Sequence, residues 1–142
     1  MGSSEGTGGS NAPMATRFLP PPDLALTLSG PASVREGRRA IAALLSVAVP
    51  QDWHADATLA TSELITNALT ASGSCELSAW YASDPDCLRI EVADTSTGTP
   101  AVQAPDSARV GGHGLRIVAA LSSRWGVRRE PASKVVWCEF DG

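Results

Sequence analysis

Two polar residues of types that can take part in acid–base chemistry or ligand binding lie on one predicted helix. Glu63 and Asn67 are four residues apart, so they lie one turn apart on the same helix face. A carboxylate can act as a general acid or base, and an amide can both donate and accept hydrogen bonds. Together with Asp56, they border an apolar arc whose members are Ala57, Ala60, Thr61, Leu64, Ile65, Ala68 and Ala71. Two interpretations stay open: a solvated helix edge, or a polar rim that faces a cavity beside the helix.

A third carboxylate continues the apolar alternation of a predicted strand. Leu88, Ile90 and Val92 point to one face of that strand, and Asp94 has the same parity. Because a buried carboxylate without a partner costs free energy, we expect a hydrogen-bond donor nearby. That donor is either the backbone around Ser96, in an Asx turn, or an N–H group of a ligand.

A glycine-rich run, residues 111–114 (GGHG), precedes a predicted helix. Exposed amides at a helix N-terminus bind anions, and glycine lets a phosphate approach the backbone. The run is not a Walker loop, since no Gly-Lys-Ser/Thr follows it and the only lysine of the chain is Lys134. It also lacks the third glycine of a dinucleotide fingerprint. A phosphate site and a structural hinge are both open interpretations.

The elements that position these residues follow from periodicity and from turn signals. Ser33 and Asp52 are predicted helix N-caps, and Gly73 is a predicted C-terminal stop. The predicted strands are 24–28, 75–82, 88–94, 125–129 and 134–140, and the predicted helices are 33–49, 52–72 and 114–124. This order predicts an α+β fold: a two-layer α/β sandwich whose mixed, mostly antiparallel sheet is covered on one face by helices.

Two stretches fall outside these elements. Residues 1–22 combine a Gly/Ser-rich segment with a Pro-rich spacer, which predicts a disordered tail before a single folded domain, 23–142. Residues 95–111 have no periodicity and contain several glycines and prolines, and a loop of this length is most often functional or mobile.

Composition excludes several classes of protein. Eleven Lys+Arg against fifteen Asp+Glu give a net charge of −4, which disfavours a DNA-binding regulator and direct contact with nucleic acid. No stretch approaches the ~20 apolar residues of a membrane span, and the N-terminus lacks an apolar signal core. The three cysteines form no C-x-x-C pair, which argues against a zinc site. We therefore expect a cytoplasmic protein with reduced thiols and no membrane contact.

Taken in order, the three features resemble the Bergerat-fold (GHKL) ATPase/kinase superfamily, and most closely its anti-sigma-factor serine kinase branch of the actinobacterial type. Residues 62–68 (SELITNA) look like the N-box S-E-L-x-x-N-A of that family. Residues 92–98 (VADTSTG) look like the first glycine box, in which Asp-x-Gly often becomes Asp-x-Ser in this branch. Residues 112–118 (GHGLRIV) look like the second box, G-x-G-L-x-x-V. The resemblance extends over about residues 23–142.

The resemblance implies a role for each box. Asn67 would ligate the Mg²⁺ that bridges the ATP phosphates, and Glu63 would orient or deprotonate the attacking hydroxyl group. Asp94 would accept a hydrogen bond from the adenine amino group, and residues 95–111 would form the ATP lid. The implied ATP-binding residues are Asn67, Asp94, Ser96, Gly98, Gly112, His113, Gly114 and Leu115.

The resemblance also implies a function and its alternative. The implied function is an ATP-dependent protein-serine kinase that binds a sigma factor and phosphorylates a small STAS-type antagonist of the anti-sigma factor. Homodimers are common in this branch. Thr70 and Ala71 stand where many relatives carry Arg and His, Ser96 replaces a glycine, and Val135 stands where a threonine often lies near the adenine. The departure at Thr70 and Ala71 favours the alternative, a non-catalytic Bergerat-fold module that regulates transcription by binding a protein, whereas Ser96 and Val135 bear on nucleotide affinity. The intact Glu63 favours the kinase.

Overall fold

Three helices cover one face of a five-stranded sheet in the part of the chain that the structure describes, a computed structural model of residues 20–83, 85–95 and 110–141. Its elements are β1 (Leu24–Ser29), α1 (Ser33–Ala48), a 3₁₀ turn (Gln51–Trp53), α2 (His54–Ser72), β2 (Ser74–Ala82), β3 (Cys87–Asp94), α3 (Val110–Leu121), β4 (Arg124–Glu130) and β5 (Ser133–Asp141). This arrangement confirms the predicted α+β fold.

The strands lie in the order β1-β2-β3-β5-β4, so β5 is inserted between β3 and β4. The sequence predicted a mixed, mostly antiparallel sheet, and all pairings among the described strands are antiparallel. The pairing of β3 with β5 places Asp94 opposite Lys134 and Val92 opposite Val136. The end of β3 therefore lies in the middle of the sheet.

The apolar core lies between the helices and the inner face of the sheet. The core residues that α2 and β3 supply include Leu64, Ile65, Ile90 and Val92, all of them buried. The predicted inner arc of α2 is confirmed up to Ala68, whereas Ala71 in the last turn is exposed. The buried hydroxyl group of Thr61 donates to the carbonyl oxygen of Ala57 at 2.8 Å, which satisfies this polar group within the helix.

The two predicted N-caps are wrong. The N-cap of α1 is Ala32, and the side chain of Ser33 makes no capping hydrogen bond because Ser33 is already the first helical residue. Asp52 lies in the 3₁₀ turn and is exposed, while α2 begins after Trp53 without a side-chain cap. In both cases the predicted capping residue lies next to the observed N-cap, so its side chain does not cap the helix.

The sequence predicts the end of α2 correctly and the bounds of α3 incorrectly. Gly73 ends α2 with φ +86°, and its N–H donates to the carbonyl oxygen of Leu69 at 2.8 Å, as the sequence predicted. The third helix was predicted to run from Gly114 to Arg124, but α3 runs from Val110 to Leu121. The glycine run therefore lies inside the first turns of α3 and does not precede the helix.

On the outer face of the sheet, arginine and glutamate side chains alternate in a row of ion pairs. Arg89 is fully buried, donates to Glu91 at 2.8 Å and to Glu139 at 2.7 Å, and lies 4.3 Å above the ring of Trp137. Arg124 continues this row by forming an ion pair with Glu139. Each buried charge thus has an opposite charge beside it, and the arginine also gains a cation–π contact.

Residues 1–19 lie outside the described residues. The described chain is attached to β2 from its start, because the indole N–H of Trp80 donates to the carbonyl oxygen of Pro20 at 2.7 Å. The backbone N–H of Asp23 donates to the carbonyl oxygen of Ala79 at 2.8 Å. Among the described helices, none has the length and apolar character needed to cross a bilayer.

Candidate functional site

Helix α2 presents the two polar residues of the predicted N-box at the border of the core. Glu63 and Asn67 are both half-buried, whereas Asp56 on the same helix is exposed. The neighbouring Leu64 is buried in the core and fixes the rotation of the helix about its axis. The solvated-edge interpretation therefore fits Asp56, and the polar-rim interpretation stays a prediction for Glu63 and Asn67.

Gly114 brings the second glycine box against the N-box. A Cβ atom at this position would lie 3.0 Å from Oε1 of Glu63 and 3.7 Å from the carbonyl oxygen of Glu63. A larger residue at this position would require the end of the Glu63 side chain to shift by a few tenths of an ångström. The carboxylate of Glu63 therefore lies beside the backbone of α3, as expected of a site built between these two helices.

The predicted ATP-binding residues of the glycine boxes differ in burial and in how fully the structure describes them. Leu115, predicted to contact ATP, is fully buried in the apolar core. Gly112 and His113 lie in the first turn of α3, and the side chain of His113 is outside the part of the chain that the structure describes. Ser96 and Gly98 lie outside the described residues, as does most of the predicted lid, so their roles stay predictions.

Asp94 is buried on the helix-covered face of β3, as its parity predicted. Its side chain is 1% exposed, and Nζ of Lys134 lies 3.8 Å from its Oδ2. The sequence predicts a hydrogen-bond donor near this carboxylate, and the donors that it named stay predictions. The ammonium group of the cross-strand neighbour is too distant for a hydrogen bond but supplies an opposite charge. Sequence reasoning missed Lys134, although two signals were available: it is the only lysine, and it shares the inward parity of Val136.

Val135, one of the predicted departures from the family pattern, lies next to Lys134 on β5. It pairs with Ala93, one residue before Asp94, and its side chain alternates away from the inner face that Lys134 and Val136 share. Val135 and Asp94 both line a cavity of about 470 Å³, together with Glu91 and Arg128. A role of position 135 near an adenine stays a prediction.

Burial raises the pKa of the Cys75 thiol to about 11, and the negative charges of Asp94 and Glu76 raise it further. Burial likewise raises the pKa of Cys138 to about 12. All three cysteines of the chain are buried and reduced. Because only the thiolate reacts, these thiols are inert at neutral pH in the folded protein.

We expect iodoacetamide at pH 8.5 to alkylate Cys75 in the folded protein about 100-fold more slowly than in urea, because a shift of ~2 pKa units lowers the thiolate fraction by that factor. Mass spectrometry of timed samples measures the rate. Since the folded pKa lies above the unfolded one, the stability that comes from keeping this thiol neutral is complete at pH 8 and is lost as the pH rises from about 9 to about 11. Equal rates in buffer and in urea would contradict this assignment.

Residues 28–140 match the family model of the histidine kinase-like ATPase domain. The chain belongs to this family. The match covers most of the chain and includes the predicted N-box and both predicted glycine boxes. A search of curated proteins found no match. The family is of the GHKL type, which supports an ATP-binding function for this domain.

Proposed function

We propose that this domain is an ATP-dependent protein-serine kinase and anti-sigma factor, which binds a sigma factor and phosphorylates a serine of a small STAS-type antagonist. The observation that carries the proposal is the position of the Glu63 carboxylate against the backbone of Gly114. A phosphoryl transfer needs a proton acceptor beside a phosphate-binding backbone, and this contact supplies both.

The described residues fit a bound nucleotide with Mg²⁺. Gly114 carries no side chain beside Glu63, so the backbone of α3 is open to a ligand at this point. Asn67 would hold Mg²⁺ through its amide oxygen, and a site with one protein ligand is normal for a metal that keeps several waters. When bound, Mg²⁺ supplies charge neutralisation for the phosphates.

Each protein group then has one task. Glu63, half-buried beside Gly114, accepts the proton of the antagonist's serine hydroxyl. Asp94 accepts a hydrogen bond from the amino group of adenine, because an ionised carboxylate has acceptors and no donor. The buried inner face around Asp94 excludes water and strengthens that contact.

A second candidate function, a non-catalytic binding module, is favoured by one observation. Thr70 and Ala71, where many relatives carry Arg and His, are both exposed in the turn that follows Asn67. No cationic side chain therefore follows the N-box to stabilise charge that develops during transfer. In this alternative the domain holds its protein partner, with or without nucleotide, and transfers nothing.

Incubation with radiolabelled ATP tests the proposal. The purified domain is mixed with each candidate antagonist and each sigma factor encoded in the same genome, and label and complex formation are measured. We expect label on a serine of one antagonist, none retained on this chain, and a stable complex with one sigma factor. Tight ATP binding without label on any antagonist would overturn the kinase and support the binding module.

A further inference from the structure

Lys134 and Asp94 form a buried pair across two neighbouring strands. They are register partners in β5 and β3, and their side chains are 3% and 1% exposed. The distance of 3.8 Å between Nζ and Oδ2 exceeds a hydrogen bond, so the ammonium group acts on the carboxylate through its charge.

This pair interrupts an otherwise apolar surface. Val136 and Cys138 follow Lys134 on the inner face of β5, and Val92 precedes Asp94 on β3; all three are buried. A buried ion pair contributes little net stability, and well-packed apolar residues of similar volume often replace one without loss. Stability alone is therefore a weak reason for a charged pair here. A role of the Asp94 carboxylate in ligand binding is the alternative reason.

The charge state of Asp94 decides which base it can bind. An ionised carboxylate only accepts hydrogen bonds, which suits the amino group of adenine, whereas a protonated one can also donate to a carbonyl oxygen such as that of guanine. The nearby Cys75 thiol is neutral, because burial and the negative charges of Asp94 and Glu76 raise its pKa to about 11. Lys134 places a positive charge 3.8 Å from the Asp94 carboxylate.

We propose that Lys134 is a positioning residue that sets base specificity: its charge, 3.8 Å away across the two strands, holds the Asp94 carboxylate as a hydrogen-bond acceptor and so makes the site prefer adenine to guanine nucleotides. This inference rests on the proposed function, because it needs Asp94 to contact the base. Lys134 itself acts through the carboxylate and makes no contact with the nucleotide in this scheme. A purely structural pair would change stability on mutation and leave the preference between bases unchanged.

The test compares affinities for Mg·ATP and Mg·GTP, measured by calorimetry, with unfolding midpoints as the folding control. We expect Lys134→Met to lower the ATP-to-GTP affinity ratio by about tenfold or more, the range for one hydrogen bond to a charged group. Lys134→Arg keeps the charge and should keep the preference. An unchanged ratio in folded Lys134→Met would overturn the inference.

A double variant covers the case in which Lys134→Met leaves an unpaired carboxylate and does not fold. Asp94→Asn with Lys134→Met removes both charges and is compared with Asp94→Asn alone. Because Lys134 acts only through the carboxylate, the two should have the same ATP-to-GTP ratio within about twofold, and a larger difference would overturn the inference. A parent protein that binds no nucleotide overturns the proposed function as well, whereas a parent that binds ATP and variants with unchanged ratios overturn this inference alone.

Discussion

Replacing Glu63 by alanine is expected to lower the rate of phosphate transfer to the antagonist serine by about 10²–10⁴-fold, the usual contribution of a general base. The affinity for Mg·ATP should change little, because in the proposed mechanism Glu63 contacts the attacking hydroxyl group and Asn67 holds the metal. The side chain is half-buried against Gly114, so its removal leaves the backbone beside the phosphates in place. Single-turnover transfer and calorimetric titration measure the two quantities separately.

Two matched variants on the same helix control this prediction. Glu63→Gln keeps the shape that packs against Gly114 but cannot take a proton, so its transfer rate should fall as far as that of Glu63→Ala. Asp56→Ala removes an exposed carboxylate from α2 and should change neither rate nor affinity. Transfer that proceeds at the parental rate in Glu63→Gln would show that Glu63 is not the base.

Replacing Arg89 by methionine is expected to lower the free energy of unfolding by about 3–5 kcal/mol. The substitution leaves Glu139, which is fully buried, and Glu91 beside it without the guanidinium group that each of them contacts. It also removes the cation–π contact with Trp137. Since small domains have about 5–15 kcal/mol in total, this loss is a large share of the stability. Urea denaturation followed by tryptophan fluorescence measures it.

The control for this prediction is the same substitution at a neighbouring exposed position. Arg129→Met on β4 should change the free energy of unfolding by no more than about 0.5 kcal/mol, because its side chain is exposed. After Arg89→Met, Glu139 keeps its pair with Arg124 and Glu91 its pair with Arg128. Adding Glu139→Gln to Arg89→Met removes one of the two carboxylates that lost the Arg89 contact and should recover part of the loss. Equal stabilities of Arg89→Met and Arg129→Met would mean that the row of ion pairs on the outer face contributes nothing.

Local patterns predicted most of the fold, because burial on one face imposes a period on the sequence. The inner arc of α2 and the inward parity of Asp94 both follow from this rule. Gly73 was predictable as well, because a left-handed C-cap needs a residue without a Cβ atom.

The errors arise where the path of the chain depends on tertiary contacts. The 3₁₀ turn that precedes α2 displaces the helix start past Asp52, and α3 begins four residues before Gly114. Nothing in a single sequence specifies which residue of β5 pairs with Asp94, so Lys134 was not predicted as its neighbour. The charges of the outer face looked like those of a solvated strand, since only the sheet brings Arg89 to Glu139, 50 residues further along the chain.

Nucleotide binding is the central claim, and a calorimetric titration of the domain and its Asp94→Asn variant with Mg·ATP tests it most directly. We expect one saturable site in the parent, tighter for ATP than for GTP, and a loss of about 1–3 kcal/mol in Asp94→Asn, the range for a hydrogen bond to a charged group. A parent that binds no Mg·ATP, or that binds ATP and GTP equally and is unaffected by Asp94→Asn, would contradict the account.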